Sequence, residues 1–122
     1  MIKLAIFSIL FLVYAVYSYT VYTKGTEMSL SLHAPQKQEI AKGKELFQQY
    51  NCIACHQLFG LGGFLGPELT TAYSDPKRGE AYMKIILANG GPRMPNYHFT
   101  EAEVSALISY LKYVDESAIT YK

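Results

Sequence analysis

Two thiols and an imidazole occupy five consecutive positions, Cys52-Ile53-Ala54-Cys55-His56. Thiols separated by two residues can each add to one vinyl group of a haem. The histidine that follows then lies beneath the iron as a nitrogen ligand. This is the attachment pattern of a c-type haem, and these are the only 2 cysteines in the chain. Two other chemistries use paired cysteines. A redox dithiol needs a strand–helix–strand setting, whereas the flanks here read as helical. A structural zinc site needs four ligands. His33 and His98 complete that count arithmetically but lack zinc-ligand spacing. The pattern predicts one covalently attached haem c with His56 on the iron.

The opposite axial position decides between a carrier and an open site. Met94 is the best candidate, because it stands in an interhelical loop stiffened by Pro95. A thioether is soft and neutral, favours ferrous iron and raises the reduction potential. Ligation by His56 and Met94 leaves no free position, so the iron can only pass electrons. Met83 falls inside a helical pattern, Met28 in a polar stretch and Met1 at the start of an apolar run. His98 borders a helix cap, where a surface or hydrogen-bonding role is commoner. Ligating imidazoles usually donate their other N–H to a carbonyl or carboxylate, and the Gly66-Pro67 backbone is the candidate acceptor. Arg93 has two readings, a partner for a haem propionate or a solvated arginine. Glu68 reads as solvent-facing.

The elements that must position these groups are helical. Gln36 to Tyr50 places Ile40, Gly43, Phe47 and Tyr50 on one face. Gly43 costs helix propensity, which a close helix approach would explain. Gly60 to Pro67 is too glycine-rich for a helix and reads as a loop that can lay backbone near a porphyrin. It lacks the lysine and spacing of a phosphate loop. Ser74-Asp75-Pro76 reads as a helix start. Glu80 to Asn89 continues helical, with Tyr82, Ile85, Ile86 and Asn89 along one side, and Asn89-Gly90-Gly91-Pro92 ends it. Thr100-Glu101-Ala102-Glu103 is a capping box for a last helix to about Val114, striped by Val104, Leu107, Ile108 and Leu111. No convincing strand is visible, so the fold class is all-α.

Upstream, Leu4 to Tyr22 is uncharged and mostly apolar. At about 1.5 Å per residue it spans roughly 28 Å, near a bilayer's hydrocarbon thickness. A cleaved signal peptide would have a shorter apolar region and a small-x-small site; Ser18-Tyr19-Thr20 matches poorly. The expected organisation is a transmembrane anchor over residues 1–24, a polar linker over 25–35 and a haem domain over 36–122. Tyr17, Tyr19 and Tyr22 fit an interfacial aromatic belt. Ser8, Ala15 and Tyr22 share a face suited to packing on other membrane helices. Lys3 and Lys24 flank the run evenly, so charge does not orient it. Bacterial haem attachment outside the cytoplasmic membrane does, with the N-terminus inside.

Net charge is +1 over 122 residues. That balance argues against nucleic acid. Lys77, Arg78 and Lys84 could form a docking patch, though a solvated helix face is the commoner meaning of such residues. A haem domain this small needs a staple beyond its own core, and a covalent haem provides one.

Cys-x-x-Cys-His, then Gly66-Pro67-Glu68-Leu69, then Met94-Pro95 before a final helix, resembles class I monohaem cytochromes c from about Lys42 to Val114. The resemblance adds Pro67 and Leu69 to the haem-binding residues. It also implies that the first and last helices of the domain cross, with Gly43 and Phe47 near Tyr110. A narrower resemblance, carried by YNCIACHQLFGLGGFLGPEL and RMPNYHFTEAEVSALISYLKYV, is to the membrane-anchored cytochrome c subunit of bacterial nitric oxide reductase. It implies a large polytopic haem–copper-type catalytic subunit as partner. It also implies an upstream donor such as a soluble cytochrome, a cupredoxin or a quinol-oxidising complex. The stretch between Leu69 and Met94 is shorter than is typical there, and Leu61-Gly62-Gly63 stands where an acidic residue is frequent. An oxygen-reducing terminal oxidase, a free membrane-tethered shuttle and a haem sensor stay open as alternatives.

Overall fold

The computed structural model describes residues 2–24 and 33–118. Chain contacts divide these into two units, the N-terminal helix and the domain that begins at its first described residue, His33. Met1, Met28 and most of the expected linker lie outside the described residues.

Helix α1 runs Ile2–Lys24, and none of its 23 residues is buried. At about 1.5 Å per residue it is roughly 34 Å long, enough to cross a bilayer. Its best window has a mean hydropathy of 2.0. Phe7, Phe11, Leu12 and Tyr17 all stand exposed. The hydroxyl of Thr20 donates to the Val16 and Tyr17 carbonyls at 3.0 and 2.8 Å, and that of Thr23 to Tyr19 at 2.7 Å. Both thus satisfy themselves within the helix, as hydrocarbon requires.

The domain contains α2 (Ala34–Gln49), a 3₁₀ turn (Cys52–Ala54), α3 (Glu80–Asn89) and α4 (Glu101–Ser117). A small antiparallel hairpin, β1 (Gln57–Leu58) with β2 (Leu61–Gly62), follows the turn. It departs from the strand-free expectation because two residues per strand carry no readable alternation. Helix α2 begins before the expected Gln36, so Pro35 sits in its first turn, where a missing N–H costs nothing.

The core lies between α2 and α4. A Cβ on Gly43 would overlap the carbonyl of Ala106 and come within 2.8 Å of the Tyr110 Cβ. Only glycine permits this approach. It sets Phe47 against Tyr110, ring centroids 5.5 Å apart. Leu46, Leu107, Ile108, Leu111 and Val114 fill the interior with Leu58 and Met83. Met83 is thus a core residue. Thr100 caps α4 as expected, its N–H donating to Glu103 at 2.8 Å.

The expected helix start at Ser74-Asp75-Pro76 is instead a turn, and α3 begins only at Glu80. Asp75 Oδ1 accepts from the Lys77 and Arg78 N–H groups at 2.7 and 3.2 Å. Its Oδ2 meets the Arg78 guanidinium at 2.7 Å. Those bonds close one turn, and Gly79 then interrupts it. Ser74 has another partner: its N–H and hydroxyl both donate to the buried Asp115 carboxylate at 2.8 Å. In α3, Tyr82 and Ile85 face outward while Met83 faces the core.

Candidate haem site

The motif sits where α2 ends and the chain doubles back. Asn51 takes a left-handed conformation (φ 50°), which asparagine tolerates better than most residues. The turn that follows closes through Cys55 N–H to Cys52 O at 3.2 Å and His56 N–H to Cys52 O at 2.9 Å. Both thiols and the imidazole therefore ride on one rigid turn. Burial, opposed by a backbone hydrogen bond and reinforced by Cys55, pushes the Cys52 thiol above its ordinary value.

His56 is tied at one nitrogen. Its Nδ1 lies 2.8 Å from the carbonyl oxygen of Pro67. With Nδ1–H donating there, Nε2 keeps the lone pair that a metal needs. The glycine loop makes this possible by wrapping the motif. A Cβ on Gly63 would overlap the Ala54 carbonyl, and one on Gly66 would strike the His56 ring. Gly63 N–H donates to Ile53 O at 2.9 Å and Gly66 N–H to Cys55 O at 2.8 Å. The loop thus packs on the motif itself, a tighter role than lying near a porphyrin. It leaves Leu61, Phe64 and Leu65 exposed, Phe64 at 87%. Apolar clusters of this kind ordinarily acquire a cover.

Leu69 is half-buried against the core, its N–H donating to Gln57 O at 2.9 Å. Met94 is half-buried in the loop between α3 and α4. That loop is closed by Gly91 N–H to Met94 O at 2.8 Å and Met94 N–H to Gly91 O at 3.2 Å. Arg93 is exposed and pairs with no carboxylate among the described residues. His98 is exposed with φ 55°, its N–H donating to Asn96 Oδ1 at 2.8 Å. Beside it Tyr97 and Phe99 pack on Tyr50, with centroids 5.3 and 4.7 Å away. These rings join the end of α2 to the start of α4. Among the described residues no three His, Cys, Asp or Glu side chains gather as a metal site, so the two-cysteine, two-histidine zinc alternative is not assembled. A haem asks less of the protein, because the porphyrin brings its own equatorial nitrogens.

One feature escapes the sequence reading. Glu68 does not simply face solvent: its carboxylate accepts from the Thr70 N–H at 3.0 Å and from the Thr70 hydroxyl. Thr70 is buried, and its Oγ1 accepts from the Phe59 N–H at 2.6 Å. Of the candidate docking residues Lys77, Arg78 and Lys84, two are already paired. Arg78 is engaged by Asp75, and Lys84 pairs with Glu80 at 2.6 Å.

A haem-attachment turn, a histidine oriented by a Gly-Pro carbonyl and a crossing of the first and last domain helices define a class I cytochrome c. The donor set and the glycine-lined loop fit a haem c. The family model described as cytochrome c oxidase, cbb3-type, subunit III matches residues 38–111, and the chain belongs to that family. It is also 28% identical over 108 residues to the C subunit of nitric oxide reductase from Stutzerimonas stutzeri, covering 80% of this chain and 73% of that protein. To the protein of the same name from Halomonas halodenitrificans it is 28% identical over 90 residues, covering 64% of this chain and 60% of the relative. The chain thus spans about three-fifths of that second relative's length.

Proposed function

We propose that this protein is the membrane-anchored electron-carrying subunit of a haem–copper-type terminal reductase, and that the reductase consumes nitric oxide. The observation that carries the reading is the His56 Nδ1 to Pro67 hydrogen bond of 2.8 Å, placed directly after two cysteines that can anchor a haem. Residues 1–24 serve as the anchor, 25–35 as the linker and 36–122 as the haem domain. Cys52 and Cys55 hold one haem c through thioethers, His56 supplies Nε2 and Met94 supplies its sulfur. Pro67 orients His56, Leu69 packs behind the loop, and Arg93 is free to meet a propionate. The haem, when bound, supplies a reversible one-electron couple. No bond-making chemistry falls to this chain; a polytopic partner carries it out.

The names of the two relatives support nitric oxide as the partner's substrate. The family description supports a second reading, a subunit of an oxygen-reducing oxidase. On either reading the haem domain lies on the outer face of a bacterial cytoplasmic membrane, with the N-terminus inside. An upstream soluble cytochrome, cupredoxin or quinol-oxidising complex delivers the electron. The deciding experiment is mild detergent extraction followed by purification through this chain. Co-migration with a polytopic protein and reduction of NO in preference to O2 is the expected result. Migration alone would indicate a tethered shuttle, and O2 consumption without NO consumption would indicate an oxidase.

A further inference from the structure

The strap beside the histidine has no counterpart in the motif. Two segments run side by side, the hairpin strand after His56 and the loop after Pro67. Leu69 N–H donates to Gln57 O at 2.9 Å. The next rung is not backbone to backbone: Phe59 N–H donates to Thr70 Oγ1 at 2.6 Å. Phe59 has φ 51°, a left-handed conformation that bulky side chains rarely adopt. Phe59 and Gly60 (φ 75°) form the two-residue tip of the β1–β2 hairpin, which calls for left-handed φ at both positions, and the buried Thr70 hydroxyl accepts the Phe59 N–H there. Thr70 in turn donates that hydroxyl to the Glu68 carboxylate, which also takes its N–H at 3.0 Å. The carbonyl of Glu68 accepts from Arg78 Nη1 at 3.2 Å, and Arg78 is pinned to Asp75.

We infer that Thr70, held by Glu68, is a positioning residue for the axial histidine, setting the strength of the His56–Pro67 hydrogen bond and through it the reduction potential. Glu68 directly follows Pro67, so the chain that fixes Glu68 fixes the carbonyl on which His56 rests. A firm Nδ1–H···O=C bond makes an imidazole a stronger donor and stabilises the ferric state. Loosening the strap weakens that bond and favours the ferrous state. The inference rests on the haem-ligand reading given above for His56.

The test uses the full chain in detergent, comparing the native protein with Thr70→Val and Thr70→Ser. Thr70→Val nearly preserves volume and removes both the acceptor for Phe59 and the donor to Glu68. Its oxidised-to-reduced equilibrium is expected to move about three- to tenfold toward ferrous, a tenfold change being about 59 mV. The paramagnetically shifted ring protons of His56 move with it, and Thr70→Ser restores both. A fall in thermal midpoint with unchanged potential and unchanged ring resonances would show a purely structural role and overturn the inference. Should Thr70→Val not load haem, Glu68→Ala removes the same strap from its other end and carries the same two outcomes. A native protein lacking a histidine-ligated haem removes the proposed function as well. A normal native spectrum with unmoved variants removes this inference alone.

Discussion

Gly43 of α2 lies so close to Ala106 of α4 that a single added methyl would overlap the Ala106 carbonyl. The crossing of the two helices, and so the wall behind the haem turn, depends on a side chain being absent. Gly43→Ala would raise helix propensity by about 1 kcal/mol. Overpacking costs about 1–3 kcal/mol and can exceed that when backbone blocks the way. Net destabilisation of up to about 2 kcal/mol, or more where the Ala106 backbone cannot yield, is therefore expected, read as a lower urea midpoint; a stabilised variant would mean the helices can separate freely.

On the proposed reading, Met94 closes the second axial position of the iron. Replacing it with alanine is expected to lower the reduction potential and let ferrous protein bind carbon monoxide readily. Native protein should bind it poorly. Unchanged potential in Met94→Ala would assign the position to another group.

The buried Asp115 carboxylate takes two hydrogen bonds of 2.8 Å from Ser74. It ties α4 to the turn that precedes α3. Hydrogen bonds to charged groups are worth about 1.5–3 kcal/mol. Asp115→Ala should lose at least that much in chemical denaturation, with the spectrum of any bound haem unaltered.

Stability against pH follows from three carboxyls held below their ordinary values, Glu80 exposed and Asp75 and Glu103 half-buried. The Lys77 backbone N–H and then Arg78 lower Asp75. Lys84 and then Tyr73 lower Glu80, and the Thr100 backbone and hydroxyl lower Glu103. A depressed folded value means the contribution is complete above the unfolded carboxylate range and disappears as pH falls through the folded values. Lys84 is raised, chiefly by Glu80, so its contribution holds below the ordinary lysine value and is lost as pH rises through the folded one. Urea midpoints should be flat near neutrality and decline gently on the acid side, more gently in Glu103→Gln. An acid limb as steep in that variant as in the native chain would contradict the assignment.

Much of this arrangement is legible in the residues. The capping pattern from Thr100 to Glu103 and the apolar stripe of α4 work within one helix, where periodicity speaks; Gly43 is legible because a glycine on an apolar helix face costs propensity unless another helix comes close. The haem motif is legible because its chemistry demands fixed spacing. The Ser74-Asp75-Pro76 run misleads because Asp75 and Ser74 each satisfy partners other than a helix end: Lys77, Arg78 and Asp115 take their polar groups. The Phe59–Thr70–Glu68 strap is invisible for a different reason. It joins residues 11 apart through one hydroxyl, and no local pattern announces such a bond. Most of the expected linker falls outside the described residues.

The most direct measurement is a pyridine haemochrome assay with intact mass on the purified full chain. One c-type haem per polypeptide, retained after denaturation and absent from the Cys52→Ala, Cys55→Ala double variant, is the predicted result. A native chain whose mass equals its sequence and which gives no haemochrome signal would contradict the account.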